Sequence, residues 1–126
     1  LRLPDNPDLR ELLDWAHDRK LFTLAICHAA AALLATDTSS RLIYQRYQNI
    51  AFPAETNKHQ WLDNAQTHAE VFCREAERFW GNPIVNTKPE ATYHLDLRLL
   101  TSASPKAANN LRRLAKNTLI NALSQK

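Results

Sequence analysis

Apolar residues near the start of the chain change from helical spacing to one continuous run. An amphipathic helix is predicted first, which Asn6 can cap and Pro7 can begin. Its apolar residues follow the i, i+3, i+4, i+7 pattern: Leu9, Leu12, Leu13 and Ala16. Residues 21–26 are almost wholly apolar, which favours a short strand covered on both faces, as in a parallel sheet. Residues 29–35 are alanine- and leucine-rich and predict a second helix. The order helix, buried strand, helix is typical of α/β proteins.

The rest of the chain continues this alternation. We predict a polar loop over residues 36–47, a helix from about residue 63 that ends at Gly81, and a last helix that starts at Ser104. Further short strands are predicted at residues 48–52, 84–85, 92–94 and 97–100. The buried face of the last helix is predicted to hold Leu111, Leu114, Ala115, Thr118 and Ala122.

One strongly buried strand is too little sheet for four amphipathic helices. A parallel sheet needs several neighbouring buried strands, and otherwise apolar helix faces stay exposed. We therefore expect the chain to dock onto further strands, from another polypeptide or from a segment outside these 126 residues.

Composition narrows the classes of function. The chain is 44% hydrophobic and 23% charged, without an apolar run of membrane-spanning length, as in a soluble globular domain. A single glycine excludes glycine-rich phosphate loops, and a net charge of +3 without a basic stripe argues against nucleic-acid binding. Two cysteines form no disulfide framework and no metal-type spacing is present, so we expect no metal and a reducing, cytoplasmic compartment.

Cys27 is the strongest candidate for chemistry. It directly follows the predicted buried strand and precedes the predicted helix, and such a turn projects a side chain at the carboxyl edge of the sheet. The helix start offers unpaired N–H groups and partial positive charge, which favour thiolate over thiol. Because unpaired cysteines are also among the most buried residues, a purely structural Cys27 stays open as the alternative.

Other reactive residue types are predicted to be structural. Cys73 lies at core spacing on the apolar face of a predicted helix, and His94 near Asp96 is expected to be a surface histidine. Three more histidines have no partner at metal-ligand spacing and are expected to be solvated: His17, His59 and His68. The three tryptophans are expected to pack rather than to bind: Trp15, Trp61 and Trp80.

The segment Leu24-Ala25-Ile26-Cys27-His28, followed by Ala29-Ala30 and Leu33-Leu34, resembles the nucleophile elbow of the PfpI superfamily. That elbow typically reads apolar-Cys-His-Gly-Pro-x-x-Leu-Leu. The chain resembles most the branch of glyoxalase III and protein deglycases, also described as heat-inducible holding chaperones. Further similar segments follow the family's order: Leu13-Asp14-Trp15-Ala16, Ala51-Phe52-Pro53 with Lys58, and Leu99-Leu100-Thr101-Ser102-Ala103-Ser104-Pro105 with Ala107-Ala108-Asn109.

The resemblance implies a flavodoxin-like three-layer α/β/α sandwich with a mainly parallel sheet. Residues 1–126 would be the C-terminal part of one such domain, completed by an N-terminal half on a complementing chain, in a dimer or higher oligomer. The implied chemistry needs no cofactor: Cys27 adds to the carbonyl of methylglyoxal or a glycated adduct, and His28 acts as acid and base to give lactate. The glutamate and the oxyanion loop of the family would belong to the N-terminal half.

Three departures from the family pattern leave other functions open. Asn57 stands in the place of the family's acid, Ala29-Ala30 replaces Gly-Pro, and Ser102 replaces a glycine. An asparagine can bond an imidazole but cannot stabilise its cation, so acid–base work should weaken. A diverged pseudoenzyme, acting as a holding chaperone, regulatory subunit or structural subunit, is therefore the alternative. A second alternative is a redox or stress sensor, which needs only an exposed Cys27 thiolate.

Overall fold

The computed structural model of the chain describes residues 5–36, 38, 43–44, 47–48 and 91–125. These ranges contain both helices and strands, as expected of an α/β protein. The bounds are α1 Pro7–Asp18, β1 Thr23–Ile26, a 3₁₀ helix Cys27–Thr36, β2 Tyr93–Asp96, β3 Leu99–Ser102, a 3₁₀ turn Pro105–Ala107 and α2 Ala108–Ser124. The elements predicted at residues 48–52, 63–81 and 84–85, and most of the loop 36–47, lie outside the described residues.

The start of α1 follows from its sequence. The Asn6 side-chain oxygen accepts hydrogen bonds from the backbone N–H groups of Asp8 and Leu9, at 2.9 and 3.1 Å. Pro7 occupies the first helical position, where its missing N–H removes no bond. The helix packs against the 3₁₀ helix through Leu13, which is buried.

The described sheet has the order β1-β3-β2 and is mixed. β1 pairs with β3 in parallel, with Thr23 beside Leu99 and Ile26 beside Ser102. β2 and β3 form an antiparallel hairpin. The sequence predicted a strand over residues 97–100, whereas β3 begins only at Leu99. Leu97 has φ 53° and lies in the turn between the two strands, so it leaves the extended conformation.

Both faces of β3 are covered. Leu99 belongs to the core cluster that α1 and the 3₁₀ helix build with Leu13 and Leu33, and it is fully buried. Because successive side chains of a strand point to opposite faces, Leu100 lies on the other side of the sheet, where it is equally buried. Helix α2 packs against β3 and β2, and its Leu111 is also fully buried. These layers are compatible with the predicted three-layer sandwich.

Two details differ from the sequence-based expectation. The segment predicted as an ordinary helix over residues 29–35 is a 3₁₀ helix that starts at Cys27, an unusually long run for this helix type. β1 was expected to be covered on both faces, yet Leu24 is 47% exposed while its neighbour Ala25 is 5% exposed. Around Leu24, one face of β1 is thus only partly covered by the described part of the chain. In the described ranges no helix combines the length and apolar character needed to cross a membrane.

Candidate active site

Cys27 lies at a sharp elbow between a strand and a helix. β1 ends at Ile26, and the 3₁₀ helix begins at Cys27 itself. The backbone of Cys27 has φ 58°, in the left-handed region, where a side chain with a Cβ costs roughly 1–2 kcal/mol. Strained backbone of this kind is concentrated at functional sites, because packing must enforce it.

The described part of the chain contains two other non-glycine residues with positive φ, and both have a local explanation. Lys20 follows the end of α1, where its N–H bonds to the His17 carbonyl and a left-handed residue is common. Leu97 is the first residue of the two-residue turn between β2 and β3, where positive φ is usual. Neither explanation applies to Cys27, which stands between a strand and the first turn of a helix.

The surroundings of Cys27 allow chemistry at its sulfur. The side chain is partly buried and is not in a disulfide. The first N–H groups of a helix have no intrahelical acceptor, so negative charge is favoured at its start. Ile26 lies beside Ser102 in the parallel pair, so the segment that follows β3 leaves the sheet at the same edge as Cys27.

This neighbouring segment is polar and tightly buried. Ser102 is fully buried and Ser104 is 5% exposed. The Ser104 hydroxyl accepts a hydrogen bond from the Lys106 N–H at 3.3 Å and so caps the turn Pro105–Ala107. The Ser102 hydroxyl oxygen is buried and forms no hydrogen bond with another described residue. Sequence reasoning named Ser102 only as a departure from a family glycine. The parallel register that places it next to the elbow is a tertiary feature.

The other two predicted site residues cannot be placed against Cys27. His28 is the second residue of the 3₁₀ helix, and its side chain lies outside the described part of the chain. Asn57 lies outside the described residues altogether. Their acid–base roles therefore stay predictions. Within the described ranges, no group of three or more His, Cys, Asp or Glu side chains is arranged to hold a metal ion.

Five of the remaining candidates lie outside the described residues, so their structural roles stay predictions: His59, Trp61, His68, Cys73 and Trp80. His94 is partly buried in β2 opposite Thr101, and the nearby Asp96 carboxylate accepts a hydrogen bond from the Gln48 N–H at 2.7 Å. The expectation that His17 is solvated was wrong. Its ring contacts Tyr44 and Tyr47 edge-on, with ring centroids 5.9 and 6.4 Å apart, because the chain after the 3₁₀ helix returns to the end of α1.

Comparison with known proteins finds relatives whose similarity covers nearly the whole chain. No protein-family model matches the chain. It is 31% identical over 121 residues to the protein/nucleic acid deglycase HchA of Escherichia coli O7:K1 (strain IAI39 / ExPEC), which covers 95% of this chain and 42% of that protein. It is 28% identical over 127 residues to the HchA of Staphylococcus aureus (strain MSSA476), covering 98% of this chain and 44% of that protein.

These similarities support the resemblance to the PfpI superfamily. The matched region includes nearly every residue of the chain, so it contains the elbow together with the segments on either side of it. The chain spans less than half the length of these curated relatives.

Proposed function

We propose that this chain is part of a PfpI-superfamily protein of the glyoxalase III and deglycase type, with Cys27 as its nucleophile. The observation that carries the proposal is the left-handed backbone of Cys27 between β1 and the 3₁₀ helix. Such an elbow presents the nucleophile at the edge of the sheet while the helix start stabilises negative charge. The similarity to proteins named deglycases supports the same chemistry.

The proposed reaction begins when the Cys27 sulfur attacks an aldehyde carbon. A C–S bond forms, the carbonyl π pair moves to oxygen, and that oxygen takes up a proton to give a hemithioacetal. With methylglyoxal, a base then removes the proton from the carbon that bears sulfur, and the neighbouring carbonyl carbon receives a proton. Water cleaves the resulting thioester, which releases lactate and restores the thiol. Methylglyoxal and water give lactate without an external oxidant or reductant.

His28 and Asn57 have supporting roles in this proposal. His28 follows the nucleophile directly and would move the protons between carbon, oxygen and solvent. Asn57 stands where the resemblance places an acid, and it would orient the imidazole by a neutral hydrogen bond. A neutral partner stabilises the imidazolium less than a carboxylate does, so turnover should be slow.

We also propose that further polypeptide completes the fold and the site. The relatives are more than twice as long as the matched region. Leu24 on β1 and two residues of α1, Leu12 and Trp15, are about half exposed, which leaves apolar surface for additional sheet and helix. That polypeptide would supply the remaining acid and the oxyanion-binding groups, in a dimer or a larger assembly.

The test measures lactate formation from methylglyoxal by the purified, assembled protein. Cys27→Ser should abolish turnover, and Cys73→Ser, which changes the other cysteine of the sequence, should leave it unchanged. Mass spectrometry after methylglyoxal treatment should locate the adduct on Cys27. Turnover that survives Cys27→Ser would overturn the proposed nucleophile.

A second candidate function is that of a diverged pseudoenzyme. It is favoured by the departures from the family pattern: Asn57 stands in the place of the family's acid, and Ser102, which is buried beside Ile26 at the elbow, stands in the place of a glycine. No turnover, together with suppressed aggregation of an unfolded client protein, would support a holding chaperone. No turnover with rapid, reversible oxidation of Cys27 by peroxide would support a redox sensor instead.

A further inference from the structure

A cleft of about 380 Å³ opens at the end of the sheet opposite Cys27. We call it the basal cleft. It is lined by His17 in the last turn of α1, by Lys20 just after that helix, by Thr23 at the start of β1, and by Arg98 immediately before β3. Cys27 follows the last residue of β1, and four strand residues at about 3.3 Å each place it roughly 13 Å away. The basal cleft is therefore separate from the candidate active site.

Its size suits a small molecule. Pockets that bind small ligands begin at roughly 300 Å³ and combine apolar walls with a few placed polar groups. Here Leu21, Leu97 and the rings of Tyr44 and Tyr47 provide apolar and aromatic surface. The tyrosine rings pack against each other with centroids 5.3 Å apart, and His17 contacts both, which fixes this wall.

One pair of hydroxyls and one hydroxyl–imidazole pair place hydrogen-bond donors in the basal cleft. The Thr23 and Tyr44 hydroxyl oxygens lie 3.1 Å apart. Each hydroxyl carries one proton, and their mutual bond uses only one of the two, so one remains to be donated. The Tyr47 hydroxyl lies 3.4 Å from the His17 Nε2. If that nitrogen is protonated and donates, the Tyr47 proton is available as well.

The charged side chains that line the basal cleft favour the binding of an anion. Lys20 and Arg98 both line the cleft and are exposed at its surface, and Arg98 stacks on the Phe22 ring with its guanidinium carbon 5.0 Å from the ring centroid. Among the described lining residues one carboxylate, Asp18, opposes these two cations, and the Asp14 carboxylate behind the wall acts on Tyr44 as well. A carboxylate oxygen of Asp18 lies 3.9 Å from the His17 Nδ1. Because the Asp18 side chain is 75% exposed, solvent and salt screen its charge more strongly than they would screen a buried charge.

We propose that the basal cleft binds a small organic carboxylate with a short apolar or aromatic body. The carboxylate would lie between Lys20 and Arg98 and accept from the hydroxyl groups, while the body contacts the tyrosine wall. A guanidinium and an ammonium recognise carboxylate through charge-assisted hydrogen bonds. This assignment uses neither Cys27 nor the proposed reaction, so it stands or fails separately.

The experiment titrates the assembled, ¹⁵N-labelled protein with benzoate and follows backbone amide signals by NMR. Benzoate should shift the signals of Lys20, Thr23 and Arg98 at millimolar concentration or below, and Cys27 should not respond. Benzamide has the same shape without the charge, and it should bind about tenfold more weakly or worse, which is the loss of about one charge-assisted hydrogen bond. Lys20→Gln and Arg98→Gln should each weaken benzoate binding about fivefold, a little under 1 kcal/mol.

Matched variants separate recognition from folding. Arg19→Gln removes a neighbouring cation that stacks on Trp15 and does not line the cleft, so it should leave the affinity unchanged. Tyr47→Phe keeps the ring and removes one hydroxyl, and should weaken benzoate more than benzamide. No benzoate binding in the millimolar range would overturn the proposal. So would equal binding of benzamide, full binding by the Lys20→Gln, Arg98→Gln double variant, or tighter binding of inorganic phosphate, which would mark a general anion site.

Discussion

Replacing Cys27 tests the elbow on which the proposed function depends. Its φ of 58° is a conformation that glycine adopts without steric cost and that other residues adopt only under constraint. We therefore compare Cys27→Ala with Cys27→Gly. Both variants remove the thiol, so their difference in stability reports the backbone and not the sulfur.

The expected difference follows from two opposing contributions. Relief of the left-handed conformation favours glycine by roughly 1–2 kcal/mol. The larger freedom of glycine in the unfolded chain opposes it by about 0.4–1 kcal/mol. Cys27→Gly should therefore unfold with a free energy about 0.5–1 kcal/mol higher than that of Cys27→Ala.

Ala29 provides a control two residues away. It is exposed in the same 3₁₀ helix and is not among the described residues with positive φ. Ala29→Gly should therefore lower the free energy of unfolding by about 0.5–1 kcal/mol. Glycine in place of alanine should thus raise the free energy of unfolding at position 27 and lower it at position 29.

Urea unfolding followed by circular dichroism measures both effects. The free energies of the four proteins are compared at one temperature with a shared denaturant slope. Suppose that Cys27→Gly is less stable than Cys27→Ala, and that this loss equals the loss caused by Ala29→Gly. Cys27 would then not have a left-handed backbone. The reasoning from elbow to nucleophile would then fail as well.

Four further predictions concern stability. Leu97→Gly should raise the free energy of unfolding by about 0.5–1 kcal/mol in urea titrations, because the Leu97 side chain is 73% exposed and its φ is 53°; a loss would contradict the turn assignment. Burial raises the pKa of Tyr44, so the unfolded phenol ionises first and stability should fall as the pH rises above about 10 towards the higher folded pKa. Tyr44→Phe should flatten this alkaline slope, and an unchanged slope would exclude Tyr44 as its source. Asn6→Ala should cost about 1 kcal/mol by leaving two α1 N–H groups without their cap, as read from thermal unfolding, whereas Asn6→Asp should keep most of that stability. Leu111→Ala should cost about 2–5 kcal/mol, because Leu111 is fully buried, and a loss below 1 kcal/mol would mean that α2 is not packed on the sheet.

Local features of the sequence were enough to predict the elements that depend on neighbouring residues. The Asn6-Pro7 pair and the apolar stripe predicted α1, and the last helix was predicted from its own stripe after Ser104-Pro105. The apolar run before Cys27 predicted β1 and the position of the cysteine directly after it. Helix caps, turns and apolar spacing are short-range interactions, so a single stretch of sequence carries the information.

The tertiary structure decided what depends on residues far apart in the chain. The order β1-β3-β2 joins segments more than 70 residues apart, and it places Ser102 beside the elbow. The packing of His17 against Tyr44 and Tyr47, and with it the basal cleft, needs the chain to return to the end of α1. No spacing within one segment records such pairings, because they are fixed by the burial of side chains from several elements at once.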